Sequence, residues 1–230
     1  MYMIHVFGDS YCDPLNGSLA SEKRWFNLLD EPAFVFGLAG SSIDWALKVF
    51  LDGHRYREGK VIFIESIPRR FHFEFLQYPG HAGAVMFDDM KEWENDDWLS
   101  QPSMQYLNKH KKFIQHFHDN YTDYHKATKT RCTLKALSDQ YEKVIYFATS
   151  HNNNLYAPVQ IGNTDNFIIA DKKLMDISRA EIRDKKYDPS FRDKRSNHFT
   201  ESNHINLAIY IKRLFNNEPV NDIKFNENVI

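Results

Sequence analysis

Five short, continuous apolar runs are spread along the chain and constrain its fold more than any other feature. They occupy positions 3–7, 34–36, 61–64, 144–148 and 167–170. Between these runs, apolar residues recur at intervals of three and four positions, and this spacing predicts helices. Strands that are apolar on both faces are typical of parallel sheets covered by helices on both sides. The sequence therefore predicts an α/β fold, a three-layer α/β/α sandwich around a central, mostly parallel five-stranded sheet.

The 230 residues fit one domain of this class, spanning 1–230, because single α/β domains of this length are common. Helical spacing is clearest at three places: 25–29, 43–51 and 205–214. The stretch at about 71–140 is predicted to be a helical insertion. Its first part, 71–105, is less regular and rich in Trp, Asp and Glu, and we expect it to cover one edge of the sheet.

Charge and composition exclude several classes of partner. The net charge is −2, so nothing indicates binding to nucleic acid or to an anionic membrane. No apolar stretch approaches the roughly 20 residues that span a bilayer, and the apolar start is too short for a signal peptide. We therefore expect a cytoplasmic protein that binds neither nucleic acid nor membrane. Its two cysteines, Cys12 and Cys132, are expected to be buried, reduced thiols.

Neither a metal nor another cofactor is expected. No set of histidines, cysteines and carboxylates has the spacing of a metal site. His116 and His118 lie two positions apart on a predicted helix, so their rings point to different sides.

The residues just after each strand are the ones to examine for chemistry, because sites in such folds lie beyond the carboxyl ends of the strands. Gly8, Asp9 and Ser10 follow the first run. A serine at a strand-to-helix turn can point its hydroxyl into a cleft, and Gly8 permits the tight backbone that this needs. The alternative is a helix cap, for which Asp and Ser are both favoured.

Two further polar stretches occupy comparable positions. After the second run, 37–42 contains two glycines that let a backbone N–H approach a ligand; the alternative is a turn with Ser41 or Ser42 as a helix cap. Near the C-terminus, His198 precedes the last helix, which Thr200 can cap. A loop histidine there is able to reach a serine hydroxyl, although most loop histidines have no special role.

These three stretches resemble a known family. The sequence Val6-Phe7-Gly8-Asp9-Ser10 resembles the first block of the SGNH/GDSL hydrolases, 37–41 resembles their second block and 198–208 their last. The resemblance implies a flavodoxin-like sheet and an ester-cleaving enzyme without cofactors. It implies that Ser10 attacks the acyl carbonyl, that His198 is the base, and that the backbone N–H groups of Ser10 and Gly40 stabilise the oxyanion.

The chain departs from the family at the triad carboxylate. The family usually has an aspartate three residues before the base histidine, where this chain has Arg195. Asp193 is the nearest carboxylate, and a bend before His198 would let it reach the imidazole. The alternative is that Asp193 pairs with a neighbouring basic residue in solvent.

A second departure concerns the oxyanion donors. The family supplies an asparagine after the third strand, whereas this chain has Glu65-Ser66-Ile67-Pro68-Arg69-Arg70 there. Arg69 or Ser66 is able to donate instead, and Arg69 would attract an anionic substrate. Asn152 to Asn154 are another source of a donor. The alternative is that Arg69 and Arg70 are simply two neighbouring charged residues on the surface. Asp9 is expected to fix the serine turn, and His204 to support the last helix and its loop.

Three functions follow from this pattern. The first is a serine esterase or deacylase acting on a small acyl or acetyl ester, such as an acetylated sugar. The second is a binding or structural module that keeps the fold without full catalysis, because the fold does not fix the function. The third is an acyltransferase with the same nucleophile, which differs only in the alcohol that resolves the acyl-enzyme.

Overall fold

The computed structural model describes residues 3–15, 20–38, 41–54, 57–66, 70–72, 84–86, 123–148, 161–178 and 199–225. Its strands are β1 Ile4–Gly8, β2 Ala33–Gly37, β3 Lys60–Ile64, β4 Arg70–His72, β5 Ala84–Met86, β6 Lys143–Phe147 and β7 Phe167–Ile169. Its α-helices are α1 Ile43–Gly53, α2 Asp123–Leu137, α3 Leu174–Ser178 and α4 Glu201–Phe215. Short 3-10 turns lie at Ser21–Lys23, Trp25–Asn27 and Ser138–Gln140.

Five of these strands form one parallel sheet in the order β2-β1-β3-β6-β7. Counted within the sheet, this order is 2-1-3-4-5, which is typical of flavodoxin-like folds. The five strands lie within one residue of the predicted apolar runs. The predicted α/β class and parallel five-stranded sheet are therefore confirmed.

Alternate residues of the strands fill two separate cores, one on each face of the sheet. One face packs against α3, α4 and the turn at Trp25–Asn27; its buried residues include Val6, Ile62, Ile64, Ile145, Phe147, Ile177, Leu207 and Ile211. The other face packs against α1 and α2; its buried residues include Phe7, Ala46, Phe50, Val61, Phe63, Leu134, Val144 and Tyr146. This arrangement explains why the strands are apolar on both faces.

The described residues of the predicted insertion contain two kinds of structure. β4 and β5 pair antiparallel as a separate two-stranded sheet, and α2 follows before β6. The 3-10 turn Ser138–Gln140 ends this stretch, and positions 73–83 and 87–122 lie outside the described residues. Within the described part of the chain, no helix combines the length and the apolar character needed to cross a membrane.

Two expectations from the sequence are wrong. The apolar spacing at 25–29 does not form an α-helix; Trp25–Asn27 is a single 3-10 turn, whose Trp25 and Phe26 enter the core. Such a short segment is too small to sustain a helix, and its packing decides its shape.

Cys12 is buried as expected, but Cys132 is exposed on α2. Both thiols are free.

His5 makes the stability of the sheet depend on pH. Its ring is buried beside Phe34 and Phe36, with centroids 6.1 and 6.4 Å away. Burial is the largest effect on His5 and lowers its pKa; the hydrogen bond to the Glu58 carbonyl opposes this, and the charge of Arg57 adds to it. The unfolded chain therefore takes up a proton at higher pH than the folded protein does.

The free energy of unfolding should thus fall as the pH drops below the ordinary histidine pKa of about 6.5, with no such loss above it. We expect the wild type to lose more stability between about pH 7 and pH 5 than His5→Phe, which keeps an aromatic ring but cannot be protonated. Urea unfolding of both proteins across this range measures the difference. Equal losses would show that His5 does not carry the effect.

Candidate active site

Ser10 lies in a tight turn at the carboxyl end of β1. The carboxylate of Asp9 accepts the Tyr11 N–H at 3.2 Å, and the Asp9 carbonyl accepts the Cys12 N–H at 3.1 Å. Asp9 thus makes the backbone contact expected of a residue that fixes this turn. Residues 9–15 continue from β1 as turns. Ser10 itself is largely buried, with 8% of its surface exposed.

Two glycines allow the ends of neighbouring strands to approach beneath this turn. A Cβ on Gly8 would lie 2.8 Å from the Cβ of Ile64, and one on Gly37 would lie 2.5 Å from the Cys12 sulfur. Both separations are shorter than real contacts, so a side chain at Gly8 would push β1 away from β3, and one at Gly37 would push the serine turn away from β2. Burial, followed by the charges of Asp9 and Asp13, raises the pKa of the Cys12 thiol well above its ordinary value. Cys12 therefore stays a protonated, inert packing residue.

The residues after β2 are tied to the same place. The Leu38 N–H donates to the Gly8 carbonyl at 3.3 Å, and the Ser41 hydroxyl donates to the same oxygen at 3.1 Å. Ser42 is the N-cap of α1, since its hydroxyl accepts the Trp45 N–H. Of the two proposed caps, Ser42 is therefore the correct one. Gly40, the predicted oxyanion donor, lies outside the described residues.

The start of α4 packs directly onto the serine turn. Thr200 caps α4, as predicted, by accepting the Asn203 N–H at 3.0 Å. The ring of Phe199, just before this cap, stacks on the ring of Tyr11 with centroids 5.3 Å apart. His198 and Asp193 lie outside the described residues. The structure thus joins the residue after Ser10 to the residue after His198.

A buried ionic cluster follows β3, where the sequence has no asparagine. Glu65 is fully buried and accepts hydrogen bonds from Arg131 of α2, at 3.0 Å, and from the Tyr146 hydroxyl. Burial, and then the charge of Glu65, raise the pKa of Tyr146 well above its ordinary value, so this hydroxyl stays protonated and donates. Ser66 is also fully buried. Arg69 and Asn152 to Asn154 lie outside the described residues.

Reasoning from the sequence assigned Glu65 no structural role. The sequence did contain an indication that Glu65 is buried. Glu65 continues the alternation of Val61 and Phe63, so its side chain points to the same inner face of the sheet. A carboxylate there requires a cationic partner on the covering helix. In the described portion, no three histidine, cysteine or carboxylate side chains group closely enough to hold a metal ion.

The chain was compared with family models, with curated proteins and with solved structures. No family model matches the chain, and no curated protein matches it. One solved structure similar to it is a protein from Desulfitobacterium hafniense DCB-2 assigned as a lipolytic protein of the G-D-S-L family, with a TM-score of 0.42 and 12% identity. The match covers 93% of this chain and 99% of that chain. A likeness at this TM-score carries no weight here, so the fold rests on the sheet order and register described above.

Proposed function

We propose that the chain is a serine hydrolase that cleaves a small acyl or acetyl ester through an acyl-enzyme on Ser10. His198 is the general base and Asp193 orients its imidazole. The substrate is a small molecule or an esterified glycan, and no cofactor takes part.

One observation carries this proposal: the stack of Tyr11 on Phe199. Successive Cα atoms are about 3.8 Å apart. Tyr11 and Phe199 are in contact although they lie near opposite ends of the chain, and this contact supports placing their sequence neighbours Ser10 and His198 in the same region. Proximity of this kind is what a nucleophile and its base require.

The position of Ser10 in the sheet supports the same conclusion. β1 has β2 on one side and β3 on the other, so the order in which the chain adds strands to the sheet reverses at β1. Ligands of open α/β sheets bind outside the carboxyl ends of the strands at such a switch point. Ser10 follows β1 by two residues and thus lies at the place where a substrate is expected.

The reaction then proceeds in two steps. The Ser10 hydroxyl oxygen attacks the acyl carbonyl carbon while His198 takes its proton; the tetrahedral intermediate collapses as His198 returns the proton to the leaving alcohol. Water next attacks the acyl-enzyme while His198 takes a proton from it; the second tetrahedral intermediate collapses as His198 returns that proton to the Ser10 oxygen, which releases the free acid and restores the serine. The N–H groups of Ser10 and Gly40 stabilise the oxyanion, with Arg69 or Ser66 in the place of the family's asparagine.

Labelling with a fluorophosphonate probe tests this proposal. We expect the wild type to be labelled, because the probe phosphonylates an activated serine, and we expect neither Ser10→Ala nor His198→Ala to be labelled. Circular dichroism of all three proteins shows whether each remains folded. Absence of label on a folded wild type would refute the hydrolase and favour a binding module without catalysis. Label on Ser10→Ala would place the nucleophile elsewhere.

A further inference from the structure

Four side chains join the serine turn to α4 in a closed ring of contacts, which we call the aromatic cluster: Tyr11, Trp25, Phe199 and His204. The indole N–H of Trp25 donates to the Tyr11 carbonyl at 3.0 Å. The Tyr11 ring stacks on Phe199 with centroids 5.3 Å apart, and Phe199 meets the edge of His204 at the same distance. The Trp25 backbone N–H donates to Nδ1 of His204 at 3.2 Å and closes the ring.

His204 makes a polar contact between α4 and the cluster. Trp25 begins a 3-10 turn, whose first N–H groups lack partners within the turn. The side chain of its N-cap residue, Arg24, does not cap the turn and donates to the Asp13 carbonyl at 2.9 Å. Nδ1 of His204 accepts the Trp25 N–H instead. Because Nδ1 is an acceptor, the proton of the neutral ring lies on Nε2.

The cluster contains the sequence neighbours of both reactive residues. Tyr11 follows Ser10, Phe199 follows His198, and His204 lies one turn into the helix that Phe199 precedes. All four side chains are buried, none with more than 9% of its surface exposed. Displacing His204 would therefore shift Phe199 relative to Tyr11 with little room for repacking.

We propose that His204 is a positioning residue of the Ser10–His198 site, and that it acts through the Trp25 N–H and the Phe199 ring. This inference rests on the proposed function. In this role His204 holds Phe199 against the serine turn and so keeps the residues before α4 in register with Ser10. A displacement of about 1 Å between a nucleophile and its base is able to lower a rate on the order of 100-fold.

The test compares three variants by fluorophosphonate labelling rate and by kcat and KM on a short acyl ester. His204→Phe keeps an aromatic ring but cannot accept the Trp25 N–H. His204→Asn restores an acceptor, because its amide oxygen takes a position close to that of Nδ1. Tyr210→Phe is the matched control: it lies on the same helix, is buried, and loses the hydrogen bonds of its hydroxyl to the Asp171 carboxylate and from the Lys172 N–H.

We expect His204→Phe to be labelled about 10- to 100-fold more slowly and to lose kcat with KM unchanged, because alignment affects the chemical step. His204→Asn and Tyr210→Phe should stay close to the wild-type rate. If His204→Phe is labelled as fast as the wild type, or if Tyr210→Phe slows as much, the positioning role is refuted while the proposed function stands. An unlabelled, folded wild type refutes both.

Discussion

Replacing Ser10 by alanine is expected to lower kcat on a short acyl ester by about four to six orders of magnitude, and His198→Ala is expected to lose nearly as much. The double variant should be no worse than either single one. A nucleophile and its base act as a unit, so removing one already removes the contribution of the other. Steady-state kinetics on p-nitrophenyl acetate, with enzyme at micromolar concentration, measures the three losses.

Two controls separate this effect from unfolding. Ser138→Ala removes another buried hydroxyl, which donates to the Lys135 carbonyl. Ser138 precedes the amino end of β6, whereas Ser10 follows the carboxyl end of β1, so the two serines lie at opposite ends of the parallel strands. We expect this variant to keep the wild-type kcat. Urea unfolding should give Ser10→Ala a stability within about 1 kcal/mol of the wild type. Losses that simply add in the double variant would show that Ser10 and His198 do not share one catalytic step.

Glu65→Gln is expected to lower the free energy of unfolding by about 3 to 5 kcal/mol. Gln has nearly the same shape and still accepts a hydrogen bond, but it leaves the guanidinium of Arg131 without its carboxylate. The side chain of Arg131 is only 15% exposed and that of Glu65 is fully buried, so solvent screens the remaining charge poorly. Urea unfolding of the purified variant measures the loss.

A stronger test is whether the substitutions at Glu65 and Arg131 compensate each other in the double variant. Arg131→Met added to Glu65→Gln should restore part of the lost stability, because it removes the uncompensated cation. Asp52→Asn is the matched control, since it removes one partner of the exposed Lys48–Asp52 pair and should change stability by less than about 1 kcal/mol. A double variant less stable than Glu65→Gln alone would show that Arg131 stabilises the fold independently of Glu65.

The parts of the fold that follow from periodicity were predictable. The strands, α1 and α4 each repeat an apolar pattern over enough residues for burial to decide their structure. The caps at Ser42 and Thr200 followed from side-chain chemistry. The segment at 25–29 was mistaken for a helix because a single turn carries the same spacing as the start of a longer one.

Contacts between distant residues could not be predicted in the same way. The partner of Glu65 lies 66 positions away on α2, and the acceptor of the Trp25 N–H lies 179 positions away on α4. Periodicity describes neighbours on one element and contains no information about which elements meet. The resemblance placed Ser10 and His198 at one edge of the sheet, but it gave no reason for Tyr11 and Phe199 to be aromatic.

The packing of α4 on the serine turn has a consequence for how the chain acquires its site. The segments that meet there, around residues 11 and 199, are nearly the whole chain apart, so their contact has a very high contact order and closes a long loop. During synthesis, β1, β2 and β3 leave the ribosome early and are able to pair, whereas α4 emerges much later. The serine turn is therefore completed only after α4 has emerged, and a nascent chain that lacks α4 holds Ser10 without the surface that packs on its turn.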